Sequence, residues 1–297
     1  MVEDALNLTF YKGEDSYSDG DIEDALLEAV QKTDDLYKIL MEHDEWPFLY
    51  HLSPIRENLL EWYEFDPEGT VLEIGSGCGA ISGLLCQKTK RVVGIDLSKK
   101  RSLINVTKNQ QYDNLEIMVG NFEDIELDEK FNYVTLIGVL EYSIYYISDE
   151  NPFETMLEKA KSYLKPNGKL IIAIENKYGL KYWAGATEDH TGEFFDGIQN
   201  YDGVERVRTF SRGKIDRMLK EAGFRENVFY YPMPDYKMPN EIYSDDYLPK
   251  AGALRNISTS YDRERYQLFN EEKAFDALCE DGLFQEFANS FLIISSL

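Results

Sequence analysis

The stretch VLEIGSGCGA, residues 71 to 80, constrains the fold most, because an apolar segment runs directly into three glycines at alternate positions. The apolar residues are typical of a buried strand. Glycine weakens a strand end unless the backbone must turn sharply or another molecule must come close to it. The stretch therefore predicts a strand followed by a tight turn that a ligand approaches.

Beyond Thr70 the hydrophobic pattern alternates between strands and helices. We predict strands at residues 71–75, 91–96, 115–120, 133–140, 169–174, 227–231 and 289–295, and helices over 80–89, 98–110, 151–164 and 211–223. Strands that alternate with helices form a parallel sheet with right-handed crossovers. The fold class is therefore predicted to be α/β.

The chain divides into two predicted parts. Residues 1–65 form a helical N-terminal cap, with one helix that starts near Asp19 or Asp21 and a second over SPIRENLLEWY that is capped by Ser53 and turns Trp62 inward. Residues 66–297 form the core, which carries two long insertions at 175–210 and 232–288. Loops of this length usually have structure or a function of their own, so we expect the insertions to form the side that binds the acceptor.

Composition excludes several classes of protein. The net charge of −24 argues against nucleic acid as the partner, because phosphate binding needs clustered Lys and Arg. Three cysteines without metal-ligand spacing indicate a reducing compartment, and the acidic YSDGDIED stretch lacks the spacing of an EF-hand, so no metal site is predicted. We find no secretory signal pattern and no apolar run long enough to span a membrane, so a cytoplasmic location is expected.

Two kinds of adenosyl ligand fit the glycine turn. Gly75, Gly77 and an acid at Asp96 satisfy the dinucleotide fingerprint, so an NAD-dependent oxidoreductase is one candidate. Glu73, however, places a carboxylate close to where a pyrophosphate would bind. That position suits a ligand with an ammonium group and a positively charged centre.

VLEIGSGCG resembles the first motif of class I S-adenosylmethionine-dependent methyltransferases, and VVGIDLS is similar to their second. VGNFED lies where such enzymes carry an acid, here replaced by Asn121, and LKPNGKLIIAIEN resembles their fifth-strand segment. The resemblance implies a Rossmann-like sheet of seven strands with the last strand antiparallel, and S-adenosylmethionine as the cofactor. It also implies that Asp96 holds the ribose hydroxyls and that Asn121 accepts from the adenine amino group.

The resemblance implies a set of cofactor-binding residues that lie at the ends of the first four core strands. They are Glu73, Gly75, Ser76, Gly77, Gly79, Asp96, Leu97, Asn121, Phe122 and Gly138. LIGVLEY resembles the fourth-strand motif of methyltransferases that act on small molecules, and differs from the motif of enzymes that methylate amino groups of DNA bases or of protein glutamine.

A closer resemblance covers nearly the whole chain. YHLSPIRENLLEWY, ENKYGLKYWAGATEDHTGEFFDGI and YYPMPDYKMPNEIYSDDYLP are similar to a bacterial methyltransferase family associated with cell-surface polysaccharide synthesis, sometimes fused to glycosyltransferases. It implies a glycan or nucleotide-sugar acceptor and glycosyltransferases as partners. A non-catalytic module that binds the cofactor and serves a glycosyltransferase remains an alternative.

Methyl transfer from a sulfonium is an in-line displacement, and an oxygen acceptor also needs a base to take its proton. His190 and Glu141 are the candidate catalytic residues, the former in the first insertion and the latter directly after the fourth core strand. His51 is a candidate cover for the cofactor. Aromatic rings in the first insertion are suited to stacking on a sugar face; they are Tyr182, Trp183, Phe194 and Phe195.

Overall fold

The computed structural model of the protein describes residues 5–15, 20–201, 207–255 and 265–297. By their contacts the described residues fall into two compact units. Unit 1 comprises those of Met1–Leu136 and Ser162–Lys169, and unit 2 those of Ile137–Lys161 and Leu170–Leu297. Cap predictions that fall on Asp19 lie outside the described residues.

The strands of the described residues form one sheet with the order β1-β4-β3-β2-β5-β6-β9-β7-β8. They are β1 (Leu6–Asn7), β2 (Thr70–Ile74), β3 (Arg91–Asp96), β4 (Leu115–Val119), β5 (Phe131–Ile137), β6 (Leu164–Glu175), β7 (Glu226–Met233), β8 (Glu241–Ser244) and β9 (Ser290–Ser296). β2 pairs in parallel with β3 and β5, and β4 with β1 and β3, as predicted for an α/β fold. β9 runs antiparallel to β7.

The helices alternate with these strands. They are α1 (Ile22–Lys32), α2 (Leu36–Glu42), α3 (Trp46–Leu52), α4 (Asn58–Glu61), α5 (Ser82–Lys88), α6 (Lys99–Lys108), α7 (Ser143–Tyr146), α8 (Pro152–Ser162), α9 (Leu180–Trp183), α10 (Arg212–Glu221), α11 (Glu271–Glu280) and α12 (Phe284–Phe287). None of the helices in the described ranges has the length and apolarity that crossing a membrane requires.

The prediction of seven strands is wrong, since the sheet contains nine within the described residues. The seven predicted strands correspond to β2–β7 and β9. β1 has only two residues, which is too short to show a period-two pattern, and it forms by pairing Leu6 with Ile117 of β4. β8 lies inside the second insertion, where it pairs antiparallel with β7.

In its described residues, the N-terminal part of unit 1 contains four α-helices, α1 to α4, more than the two expected. α1 begins at Ile22, directly after Asp21. The segment after Ser53 is a 3-10 turn, Pro54–Glu57, followed by the single turn of α4. Trp62 is 43% exposed and donates from its indole nitrogen to the carbonyl of Leu59, so the expectation that it faces inward is wrong.

The helices α1, α2 and α3 share one apolar core with α6. Leu26, Ile39 and Phe48 from these three helices are buried together with Ile104 of α6 and with Cys78 of the glycine turn. Burial of such side chains contributes about 1.5–3 kcal/mol each, so this core fixes the N-terminal helices against α6. Cys78 is therefore an apolar filler, and burial raises the pKa of its thiol to about 11.

Candidate cofactor and acceptor sites

The glycine turn after β2 has the backbone conformation that only glycine adopts readily. The φ angles of Gly75, Gly77 and Gly79 are 71°, 52° and 78°. The amide nitrogens of Gly75 and Ser76 both donate to the carbonyl of Ile95, at 2.8 and 3.0 Å, which ties the turn to the end of β3. The turn is thus held rigidly at the carboxyl ends of two neighbouring parallel strands, where ligands of open α/β sheets bind.

The glycines of the turn differ in what surrounds them. A Cβ atom at Gly77 would meet no heavy atom closer than Arg101 Nη2 at 3.9 Å, so that side of the backbone is open. A Cβ atom at Gly79 would lie 2.3 Å from Oδ1 of Asn105 and 2.7 Å from Nδ2 of Asn109. The missing side chain at Gly77 therefore leaves room for a ligand. The missing side chain at Gly79 instead leaves room for Asn105 of α6 and for Asn109, which directly follows that helix.

Asp96 ends β3 and binds two backbone amides. Its Oδ2 accepts from Gly77 N at 2.8 Å, and its Oδ1 accepts from Ser98 N at 2.9 Å. Burial raises the pKa of Asp96, against the opposing effects of the Arg101 guanidinium and these two amides. Each oxygen keeps a second lone pair, so the carboxylate retains the capacity to accept from two ribose hydroxyls. Leu97 beside it is half-buried.

Arg101 is a residue of this site that the sequence did not reveal. Its Nη2 lies 3.4 Å from Nε2 of the buried His51 in α3, and its Nε lies 3.6 Å from the buried carboxylate of Glu23 in α1. The N-terminal helices thereby fix a guanidinium next to Gly77. In the sequence, Arg101 is recognisable only as a basic residue in the first turn of the helix that follows Asp96. Basic residues are common at such positions, so Arg101 could not be predicted as a site residue.

The N-terminus of α6 has an intramolecular partner in Asp15. Its Oδ1 accepts from Lys99 N at 2.8 Å, and its Oδ2 accepts from Lys100 N at 3.2 Å and from the Ser98 hydroxyl at 2.9 Å. Although burial would raise the pKa of Asp15, these bonds hold it below its usual value. The amides at the start of α6, which have no partner within the helix, therefore donate to a carboxylate of the same chain.

Glu73 lies in a buried polar chain. Its Oε2 accepts from the hydroxyl of Ser82 at 2.6 Å, Ser82 accepts from Asn105 at 3.0 Å, and Asn105 accepts from Asn109 at 2.9 Å. Burial raises the pKa of Glu73 to about 7, opposed by the Ser82 bond and by Lys108. The carboxylate of Glu73 therefore lies against the first residue of α5.

The remaining predicted cofactor residues of unit 1 lie near the ends of β2 and β4. Ser76 is buried with its hydroxyl lacking a hydrogen-bond partner among the described residues. Asn121 caps the 3-10 turn Phe122–Asp124, where its side chain accepts from Glu123 N at 3.1 Å. Phe122 is buried and packs against Tyr163 with ring centroids 5.9 Å apart. The predicted acceptor atom of Asn121 thus already has a local donor.

Unit 2 brings the two predicted catalytic residues together. Nε2 of His190 lies 3.7 Å from Oε1 of Glu141, and both side chains are buried. Glu141 is in the 3-10 turn Leu140–Tyr142 that follows β5. A Cβ atom at Gly138, the predicted cofactor residue of this unit, would lie 3.7 Å from Oε1 of Glu141 and 2.8 Å from the hydroxyl of Tyr236. Gly138 therefore lies directly beside Glu141, one of the two candidate catalytic residues.

The structure adds Glu175, an acid that the sequence analysis missed, and makes Glu188 a direct partner of His190. Glu175, the last residue of β6, has its Oε2 3.9 Å from Nε2 of His190. Glu188 accepts from Nδ1 of His190 at 3.1 Å, from the amides of His190 and Thr191 at 2.7 Å each, and from the hydroxyl of Tyr201 at 3.1 Å. Glu175 lies at the carboxyl end of β6, and this position is the only feature of the sequence that could have indicated a role in the site.

Two lysines neutralise part of this charge. Lys237 contacts Glu175 and Asp189, and Lys181 lies 2.9 Å from Asp189 and 3.6 Å from Asp235. Burial alone would lower the pKa of His190, but Glu141, Glu188 and Glu175 outweigh it and raise this pKa well above its usual value. Burial also raises the pKa of Glu141. The cluster therefore has strongly perturbed acid–base properties, as functional sites often do.

With this geometry described, similarity to known proteins defines the class. Residues 65–223, more than half of the chain, match the family described as "Methyltransferase domain". The chain belongs to this family. Membership confirms the predictions of a methyltransferase and of S-adenosylmethionine as its cofactor at the level of the family.

Relatives and solved structures agree with that class. The chain is 32% identical over 146 residues to an uncharacterized methyltransferase of Staphylococcus carnosus, covering 45% of this chain and 66% of that protein, just under two thirds of its length. It is similar to a SAM-dependent methyltransferase from Archaeoglobus fulgidus, with a TM-score of 0.52 and 15% identity over 85% of this chain and all of the other. It is also similar to phosphoethanolamine N-methyltransferase 1 of Haemonchus contortus, solved with phosphoethanolamine and S-adenosylhomocysteine, with a TM-score of 0.51 and 12% identity over 93% of this chain and 48% of the other. These structures support the fold.

Proposed function

We propose that the protein transfers the methyl group of S-adenosylmethionine to a small-molecule or carbohydrate acceptor. The observation that carries the proposal is the glycine turn of unit 1, in which Gly77 leaves its face open and donates to Asp96. The bare backbone admits the methionine part of the ligand, and the carboxylate accepts from the ribose. Arg101 and the N-terminal helices complete the site.

Glu73 favours S-adenosylmethionine over a dinucleotide. In dinucleotide sites a pyrophosphate binds at the start of the helix that follows the first strand. Here the buried carboxylate of Glu73 is hydrogen-bonded to Ser82, the first residue of that helix. Above its pKa of about 7 this group is negatively charged and repels a pyrophosphate. An NAD-dependent oxidoreductase is therefore the weaker alternative.

On the acceptor side we propose that Glu141 and His190 act together. As an imidazolium, His190 donates from Nδ1 to Glu188 and directs Nε2 toward Glu141. A histidine whose pKa is raised in this way is a hydrogen-bond donor at neutral pH, and Glu141 is then the group of the pair that can accept a proton from an acceptor hydroxyl. This refines the hypothesis that His190 itself is the base.

A carbohydrate acceptor is the finer part of the proposal, and it rests on the resemblance to a family associated with polysaccharide synthesis. Exposed rings in the first insertion support it: Trp183 is 40%, Phe194 58% and Phe195 36% exposed. Such rings can stack on a sugar face. Tyr182 is instead buried and bonded to Asp189, so it is not available for stacking. Glycosyltransferases are the proposed partners on the same resemblance.

Two measurements test the proposal in sequence. Calorimetry with S-adenosylhomocysteine and with NAD decides the cofactor, and binding of NAD alone would refute the proposal. A methyl-transfer screen against nucleotide sugars and glycan fragments, read by mass, then decides the acceptor. Cofactor binding without transfer to any of the small molecules or carbohydrates tested would favour a non-catalytic module that serves a glycosyltransferase.

A further inference from the structure

Three electron-pair donors converge inside unit 2. They are Nε2 of His190, Oε1 of Glu141 and Oε2 of Glu175, and these atoms all lie within 4.8 Å of one another. The three side chains come from separate places, namely the turn after β5, the end of β6 and the first insertion. The side chains of Glu141 and Glu175 are at most 1% exposed.

Three of the four oxygens of these two carboxylates lack, among the described residues, the partners that buried anions need. Among the described residues, neither oxygen of Glu141 has a hydrogen-bond donor, and neither does Oε2 of Glu175. A buried carboxylate that accepts no hydrogen bond costs several kcal/mol in general, so such groups are normally paired or coordinate a metal. The separations of 3.7 and 3.9 Å from His190 are longer than a hydrogen bond.

The outer contacts of the cluster orient two of the three groups, His190 and Glu175, in the way that metal ligands are oriented. Glu188 accepts from Nδ1 of His190, so that a neutral ring, the form that binds a metal ion, would direct its Nε2 lone pair at the two carboxylates. Lys237 contacts Oε1 of Glu175, which leaves Oε2 facing His190. Carboxylate–histidine pairs of this kind hold the tautomer and the ring orientation of metal-binding histidines.

We propose that Glu141, Glu175 and His190 form a binding site for a divalent first-row transition metal ion, of the Mn²⁺, Fe²⁺ or Zn²⁺ class. Ligands about 2.0–2.2 Å from one ion lie roughly 3–3.5 Å apart, so the separations of 3.7 and 3.9 Å between Nε2 of His190 and the two carboxylates need to shorten by only a few tenths of an ångström. The mixed imidazole and carboxylate set favours these ions over Mg²⁺ and Ca²⁺, which prefer oxygen ligands alone. With three protein ligands, coordination positions remain for water or for an oxygen of the acceptor.

The site itself does not depend on the proposed function, because its residues would bind the ion whether or not a methyl group is transferred. The metal-free alternative is the arrangement of the proposed function, with a proton on Nε2 of His190, so that the imidazolium pairs with Glu141 and Glu175 at long range. While an ion is bound, Glu141 is a ligand and does not act as the base. The two arrangements differ in one respect that can be measured. Only the metal site brings the imidazole nitrogen into direct contact with an added ion.

Mn²⁺ alone is the probe for the test. The full chain is stripped with a chelator and titrated with Mn²⁺ at physiological ionic strength, where the exposed carboxylates of this acidic chain bind only weakly. The loss of the free Mn²⁺ electron paramagnetic resonance signal measures binding. We expect one tight equivalent in the unaltered chain and binding at least about tenfold weaker in Glu141→Gln and Glu175→Gln. Glu193→Gln, an exposed acid of the same insertion, is the matched control and should bind normally.

A second measurement does not require the glutamate variants to fold. Pulsed resonance on the Mn²⁺-loaded, unaltered chain should show coupling to a directly bound imidazole nitrogen. The coupling should persist in His43→Gln, since His43 lies 3.6 Å from Glu45 in unit 1 and is a histidine beside an acid outside the proposed site. The absence of a tight equivalent, tight binding that survives in folded Glu141→Gln and Glu175→Gln, or the absence of nitrogen coupling would each overturn the proposal.

Discussion

The amide of Gly77 donates a hydrogen bond of 2.8 Å to Oδ2 of Asp96, across nineteen residues of sequence. The same carboxylate accepts from Ser98 through its other oxygen. The acid proposed to hold the ribose therefore also shapes the turn proposed to receive the methionine part. Cofactor affinity and the conformation of the turn should depend on one side chain.

Replacing Asp96 by Ala should weaken binding of S-adenosylhomocysteine by at least about tenfold, because hydrogen bonds to a charged acceptor contribute about 1.5–3 kcal/mol each. Calorimetry measures the affinity, and a thermal melt reports the accompanying loss of the Gly77 and Ser98 bonds. Asp113→Asn, an exposed acid of the same unit, is the control. Unchanged affinity in folded Asp96→Ala would contradict the assignment.

Substitutions at Gly77 and Gly79 should separate ligand binding from folding. Gly77→Ala adds a methyl group to an open face, at a cost of about 1–2 kcal/mol for the positive φ, and should lower cofactor affinity at least about tenfold by steric contact. Gly79→Ala forces a Cβ against Asn105 and should lower the melting temperature more. Calorimetry and thermal melts on both variants check this. Normal cofactor affinity in Gly77→Ala, together with a larger loss of melting temperature in that variant than in Gly79→Ala, would mean that the ligand does not contact Gly77.

Because of Glu73, the free energy of unfolding should decrease as the pH rises from about 4.5 to about 7. Its pKa is raised from 4.5 to about 7 by burial, so the unfolded chain loses the proton first as the pH rises through this window. Above pH 7 both states are ionised and the full penalty, about 3 kcal/mol, is present. Glu73→Gln keeps an acceptor for Ser82 but cannot ionise, so it should become progressively more stable than the unaltered chain across the window.

Urea unfolding at several pH values measures this difference. Lys108, whose pKa is lowered to about 8 by burial, and Asp96 titrate in both proteins, so their contributions largely cancel in the comparison. A stability difference between the two proteins that does not change from pH 5 to pH 8 would show that Glu73 is not perturbed in this way.

Glu188→Gln should destabilise unit 2 by about 1.5–3 kcal/mol, because a glutamine cannot accept on both of its terminal atoms. The carboxylate accepts from two backbone amides, an imidazole and a tyrosine hydroxyl, and these donors hold its pKa low in spite of its burial. Thermal melts compare this variant with Glu193→Gln. Equal melting temperatures would mean that the turn at residues 188–191 is held by other contacts.

Periodic elements and the glycine turn could be predicted from the sequence, because their signals are local. The helices predicted over 98–110 and 211–223 begin directly after Ser98 and Ser211, whose hydroxyls accept from the third following amide. The contacts that depend on distant pairing could not be predicted. Lys237 and Glu175 are separated by 62 residues, and nothing local to either indicates the other. β1 likewise exists only because β4 offers an edge to Leu6 and Asn7.

Asp15 has a consequence for which adenosine-containing molecules the chain can recognise. Many nucleotide cofactors differ from one another by a phosphate on the ribose, and proteins that accept the phosphorylated form supply a positive site just beyond the second strand of the motif. In this chain the amides at that position are already bound by a carboxylate. If the ribose binds beside Asp96 as proposed, we expect the N-terminal segment to act as an electrostatic filter that admits a ribose with free hydroxyls and repels NADP and other adenosines phosphorylated on the ribose.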